Sequence, residues 1–109
     1  MNKYTELSDF EINKAVFHKA KIKHKYFRFL PNGVITYNIK GKYKVFDPCN
    51  NPADAMPIII ENKIGLSPMY HSNKWTADCL DYDFISVNKN PLRAAMELFL
   101  LMKDAENEG

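Results

Sequence analysis

The closing segment of the chain constrains the rest most tightly. Asn90 followed by Pro91 is a helix start, because asparagine's side chain can accept an unpaired N–H and proline at the first helical position has none to leave unpaired. From Leu92 to about Ala105 nothing breaks a helix, and between Ala94 and Met102 every residue except Glu97 is apolar. Arg93, Glu97 and Asp104 line up as a narrow polar stripe at 100° per residue, but Leu100 falls inside it. A helix that is apolar nearly all round is either wrapped by its own domain or shared with another chain. Leu100 and Leu101 are therefore candidate oligomer-interface residues, with Leu100 expected on the outside.

What surrounds that helix is legible from punctuation and period. Ser8, three residues before Glu11, forms a capping box for a helix from Asp9 to about Ala20, with Leu7 placed to staple onto Ile12. Phe10, Ile12, Val16, Phe17 and Ala20 share one arc of this helix, and Glu11, Lys14 and His18 the other. From Lys21 the residues turn aromatic and β-branched, and Asn32-Gly33 after Pro31 marks a hairpin. Strands are expected at about Ile22 to Leu30, Val34 to Ile39 and Tyr43 to Asp47, with Gly41 at the second turn. Asn51 can cap a helix beginning at Pro52, which Pro57 should kink before it ends near Asn62. Two or three short strands follow, around Ile64 with Leu66, Trp75 with Ala77, and Phe84 to Val87. The expectation is one small α+β domain with an antiparallel sheet, a capped N-terminal helix, a kinked middle helix and a buried C-terminal helix, which suits a chain of 109 residues.

Composition removes several classes of function. No apolar run approaches the roughly 18 residues of a membrane span, so no membrane role is expected. Cys49 and Cys79 form no CxxC and are too few for a disulfide framework, so two free thiols in a reducing compartment are expected. Net charge is only +2, yet the first 46 residues hold ten Lys or Arg against three acids, while the remaining 63 hold five against ten. Such polarity can steer a polyanion to one face or align subunits head to tail.

Four strings resemble one family. LSDFEINKAV at the start, FDPCNNPADAMPIIIENKIGL in the middle, Trp75-Thr76-Ala77, and NPLRAAMELFLLM at the end have the order and spacing of the NinX-like proteins of lambdoid phages and prophages. Apart from Phe46 and Trp75-Thr76-Ala77, residues 21–46 and 67–89 lie outside the resemblance, and the family usually carries Trp where this chain has Met56 and often Arg where it has Thr76. The resemblance implies a small phage accessory protein in the cytoplasm of a bacterial host and implies no mechanism.

The residues themselves nominate three places for function. Asp47, Cys49, Asn50 and Asp54 are polar and lie on a loop or at a helix start, where function concentrates; Cys49 is the only candidate nucleophile, its thiolate favoured if the nearby helix dipole reaches it. Lys21, Lys23, Lys25, Tyr26 and Arg28 interleave cations with aromatic rings as a single-strand nucleic-acid binder would, while the rival reading is an edge strand guarded by lysines. The third is the C-terminal helix around Leu100. The three histidines and two cysteines have no zinc spacing, the acids of DCLDYDF have no EF-hand glycine, and no phosphate-cradling glycine loop is present, so no metal and no cofactor are expected. A non-enzymatic protein acting through a host or phage protein partner is the leading expectation, with the C-terminal helix as the candidate seam of a homo-oligomer, and nucleic-acid binding is the alternative.

Overall fold

The computed structural model describes residues 2–20 and 27–108, in the order α1 (Asp9–Lys19), β1 (Phe27–Phe29), β2 (Ile35–Ile39), β3 (Lys42–Phe46), α2 (Pro52–Glu61), β4 (Gly65–Pro68), β5 (Trp75–Asp78), β6 (Ser86–Asn88) and α3 (Pro91–Glu108). The strands form two antiparallel sheets of three, β1-β2-β3 and β4-β5-β6, so the two or three short strands expected after Gly65 make a sheet of their own. The α+β class holds. Residues 22–26 of the expected first strand lie outside the described residues, and Phe27–Phe29 pair with Tyr37–Ile35.

Each helix starts where its cap chemistry says it should. Ser8 Oγ accepts from Glu11 N at 3.1 Å while Glu11 Oε1 accepts from Ser8 N at 3.1 Å, so both orphan donors are satisfied reciprocally. Asn51 Oδ1 takes Ala53 N at 3.0 Å, and Asn90 Oδ1 takes Leu92 N at 2.9 Å. α2 runs unbroken through Pro57, the sixth of its ten residues, which forgoes the one bond its N–H would have made to the Ala53 carbonyl. The two tight turns of the first sheet are built on positive φ: Gly33 at +90°, where a Cβ would fall 2.8 Å from that of Phe10, and Lys40-Gly41 at 52° and 85°, a type I′ hairpin turn.

α3 is the hub, packed by α1, by α2 and by the second sheet. Ala94, Ala95, Met96, Leu98 and Leu100 are fully buried, Phe99 is 1% exposed and Leu101 half-buried. The chain thus wraps its own helix. Leu100, expected on the outside, is at 0% exposure, and the stripe that was to carry it to solvent is covered too: Arg93 is 7% exposed and Glu97 0%.

The cover is the N-terminal segment, which crosses the stripe before α1 begins. Arg93 donates to the carbonyl of Tyr4 at 3.1 Å and of Leu7 at 2.6 Å, and to Asp9 Oδ1 at 2.6 Å. Its Nε donates to Glu97 Oε2 at 2.7 Å, and Asn2 Nδ2 donates to Glu97 Oε1 at 2.8 Å. Further along, the Tyr4 hydroxyl donates to Asp104, which also pairs with Lys3 at 3.0 Å. Burial works against the Arg93 charge, but the bonds to Asp9 and Glu97 outweigh it and hold its pKa above the ordinary value.

Candidate functional site

The polar loop and the start of α2 form one hydrogen-bonded joint between three helices. Asp47 accepts from Asn50 N and Asn51 N on its carbonyl, and its own N–H donates to Asp54 Oδ2 at 2.9 Å. Asn13, at 2% exposure on α1, clasps the loop from behind: its Nδ2 donates to Asp47 Oδ1 at 2.8 Å and its Oδ1 accepts from Cys49 N at 3.2 Å. From α3, Asn90 Nδ2 donates to the Cys49 carbonyl at 2.6 Å, and Asn50 Nδ2 reaches Asp9 at 3.2 Å. The four residues nominated from sequence are therefore together: Asp47, Cys49 and Asn50 bond to α1 and to Asn90, and Asp54 adds its bond to the Asp47 N–H while also lining the surface beside α2. Asn13 was missed, because a lone asparagine on an apolar helical arc carries no signal until its partner is known.

Cys49 is not poised for nucleophilic attack. It is at 0% exposure, and burial, followed by the Asp9 carboxylate, pushes its thiol pKa strongly up against the weaker pull of Arg93. Desolvation outweighs any helix dipole here. Its Sγ lies 3.9 Å from the Asp9 carbonyl, as a weak donor would.

The basic stretch is only partly in view. Lys21, Lys23, Lys25 and Tyr26 lie outside the described residues, and Arg28 is exposed on β1 opposite Thr36. The neighbouring rings are committed elsewhere: Phe27 and Phe29 sit with centroids 4.8 Å and 5.8 Å from Phe17 of α1, and Phe29 stacks on His18 at 5.4 Å. Lys14 lies over Phe29 at 5.7 Å. Alternation puts Phe27 and Phe29 on the face toward α1 and Arg28 on the opposite face.

A run of concavities along α2 is a feature that sequence reasoning did not find. α2 stands off from the first sheet, leaving a cleft of about 260 Å³ with Phe46, Pro57 and Ile58 as apolar walls and Tyr37, Asp54 and Glu61 as polar ones. At the β3 side it continues into a hollow of about 400 Å³ bounded by Lys44, Val45, Asn51 and Ala53, and Tyr37 and Asp54 border both. At the other end a hollow of about 510 Å³ shares Ile58 and Glu61 and adds His18, Lys19 and Lys103. Asp54, Pro57, Ile58 and Glu61 are three, four and seven apart, one face of α2. Burial, joined by the Asp47 carboxylate, raises the Asp54 pKa against the Asp47 N–H bond and Lys44; burial and Asp54 raise that of Tyr37.

Three capped helices, two small antiparallel sheets, a hydrogen-bonded polar joint and an open helix-to-strand cleft make up a small α+β domain. The family model described as "Bacteriophage P22, NinX" matches residues 3–103, and the chain belongs to that phage protein family. Among curated proteins none matches the chain. Among the described residues no helix is long and apolar enough to cross a membrane.

Proposed function

We propose that the protein is a non-enzymatic phage accessory protein that acts in the bacterial host cell by binding a protein partner, with the cleft between α2 and β3 as its working surface. The carrying observation is the cleft itself: an apolar floor with a few convergent polar groups, about side-chain sized, beside an exposed strand on which Tyr43 is 62% and Val45 52% exposed. The burial of Cys49 and the internal bonding of Asp47 and Asn50 support this assignment over chemistry at the loop.

The test fills the cleft and leaves its frame alone. Ala53 is exposed on α2 and borders both the cleft and the β3 hollow, so Ala53→Trp should close them without entering the core. Wild-type protein immobilised in lysate of phage-infected cells should retain a protein that a folded Ala53→Trp variant does not. Retention of the same protein by both would refute the assignment. A retained species destroyed by nuclease, and lost when Arg28, Lys23 and Lys25 become Glu, would favour nucleic-acid binding instead.

A further inference from the structure

We propose that the partner presents an extended segment that pairs with β3 as an added strand and places one lysine or arginine side chain in the cleft between Asp54 and Glu61. The inference rests on the reading that this cleft binds protein, and it specifies how.

The backbone argument comes from register. β2 and β3 are joined by the two-residue turn Lys40-Gly41, so the flanking pair Ile39 and Lys42 exchanges both ladder hydrogen bonds, and so by alternation do Tyr37 with Lys44 and Ile35 with Phe46. Tyr43 and Val45 then point their N–H and C=O groups away from β2. Among the described residues no strand lies on that side of β3. Two donors and two acceptors thus stand in a row at an open edge, the arrangement that strand addition uses.

The side-chain argument comes from what lies under that edge. Val45 and Lys44 border the hollow that leads past Ala53 to Tyr37 and Asp54. A residue of an added strand that faces α2 would enter there and reach the cleft of about 260 Å³, whose walls suit a hydrocarbon stem and whose two carboxylates suit a cation. Asp54 spends one carboxylate oxygen on the Asp47 N–H. Lys44 is near enough to influence Asp54, yet forms no ion pair with it within 4.0 Å among the described residues, which leaves that carboxylate available to a guest cation.

The probe is a displayed library of random heptapeptides selected on the immobilised full chain. Selected peptides should share one Lys or Arg at a fixed position, and a synthetic copy should slow amide exchange at Tyr43 and Val45 in the wild-type chain. Val45→Pro removes a donor that the β2 ladder does not use and should weaken the peptide at least tenfold. Asp54→Asn with Glu61→Gln should erase the preference for Lys or Arg over Met at that position, again by about tenfold, the size of one charge-assisted hydrogen bond. A selection without binders, peptides with no basic position, or unprotected Tyr43 and Val45 amides would overturn the inference. If Val45→Pro still retains the host-lysate partner and Ala53→Trp does not, strand addition fails and the cleft reading stands; if both retain it, the cleft reading fails as well.

Discussion

Replacing Arg93 by methionine should remove a large part of the fold's stability. The Arg93 side chain is 8% exposed and Glu97 0%, and the guanidinium makes five hydrogen bonds, to Asp9, Glu97 and the carbonyls of Tyr4, Thr5 and Leu7. Asp9 is 42% exposed and can rehydrate when its partner goes. Glu97 cannot, and would keep only Asn2, Ser86 and Asn88 as neutral donors. The gross attraction of such a pair about 4 Å apart is about 4 kcal/mol at an effective dielectric of about 20, and breaking a buried pair from one side costs about 3–5 kcal/mol because the survivor stays dry and unpaired. Against a total of about 5–15 kcal/mol for a domain, that is at least a fifth of the stability. Urea unfolding followed by Trp75 fluorescence and far-UV circular dichroism should show the midpoint falling by about 2 M, given a slope of about 1–3 kcal/mol per molar. The double variant Arg93→Met with Glu97→Leu should recover about 2 kcal/mol of the loss, since removing both charges also removes the penalty of the orphan. A single variant that loses under about 1 kcal/mol, or a double variant no more stable than the single, would refute the claim that a dry ion pair clamps the N-terminal segment to α3.

Leu100→Glu should cost about 4 kcal/mol or more for burying a charge without a partner, with the urea midpoint as the readout; a variant as stable as the wild type would mean that Leu100 is not enclosed. Ellman titration of the native protein should label the half-buried Cys79 first and reach Cys49 only as the protein unfolds, and equal rates would contradict the burial assigned to Cys49. The acid limb of stability should report two carboxylates of opposite sign. Burial pulls the Asp104 pKa up, but the Tyr4 hydroxyl and Lys3 outweigh it and lower it below 3.8, so its contribution is present above that pH and is lost as pH falls through the folded value; Asp104→Asn should flatten this limb in denaturation midpoints. Asp54, raised above 3.8, favours the folded state less as pH rises through its titration, so Asp54→Asn should compare better with the wild type at pH 7 than at pH 4, and the reverse order would contradict the shift.

Local chemistry was readable in this sequence, and long-range closure was not. The Ser8-Glu11 box, the Asn51-Pro52 and Asn90-Pro91 starts and the Pro31-Asn32-Gly33 turn each act within three or four residues, and each stands where the residues put it. Helical period placed Arg93 and Glu97 on a common stripe, but period cannot say what covers a stripe. The cover comes from residues 84 to 95 positions away, and it leaves the charged pair of that stripe buried. Phe10 failed in the opposite direction: it lies on the expected apolar arc yet is 47% exposed, resting against Gly33 at the turn. The cleft had no local signature, since its walls come from β2, β3 and one face of α2.

The strings that carry the family resemblance meet in space. Asp9 and Asn13 come from the first, Asp47, Cys49 and Asn50 from the second, and Asn90 and Arg93 from the last, and direct hydrogen bonds link all seven into the joint between α1, the loop before α2, and α3. A signature built of such joints specifies how the chain closes and is silent on what it binds. Tyr37, Lys44 and Val45, which turn the joint's far side into a groove, lie in the stretch between the first two strings, where the sequence offers only alternation and charge. A polar loop with a buried cysteine therefore points first to assembly of the frame, because the polar atoms that come together where three helices join must find partners. The binding chemistry is left to an edge strand and a helix face, whose residues individually look like ordinary surface.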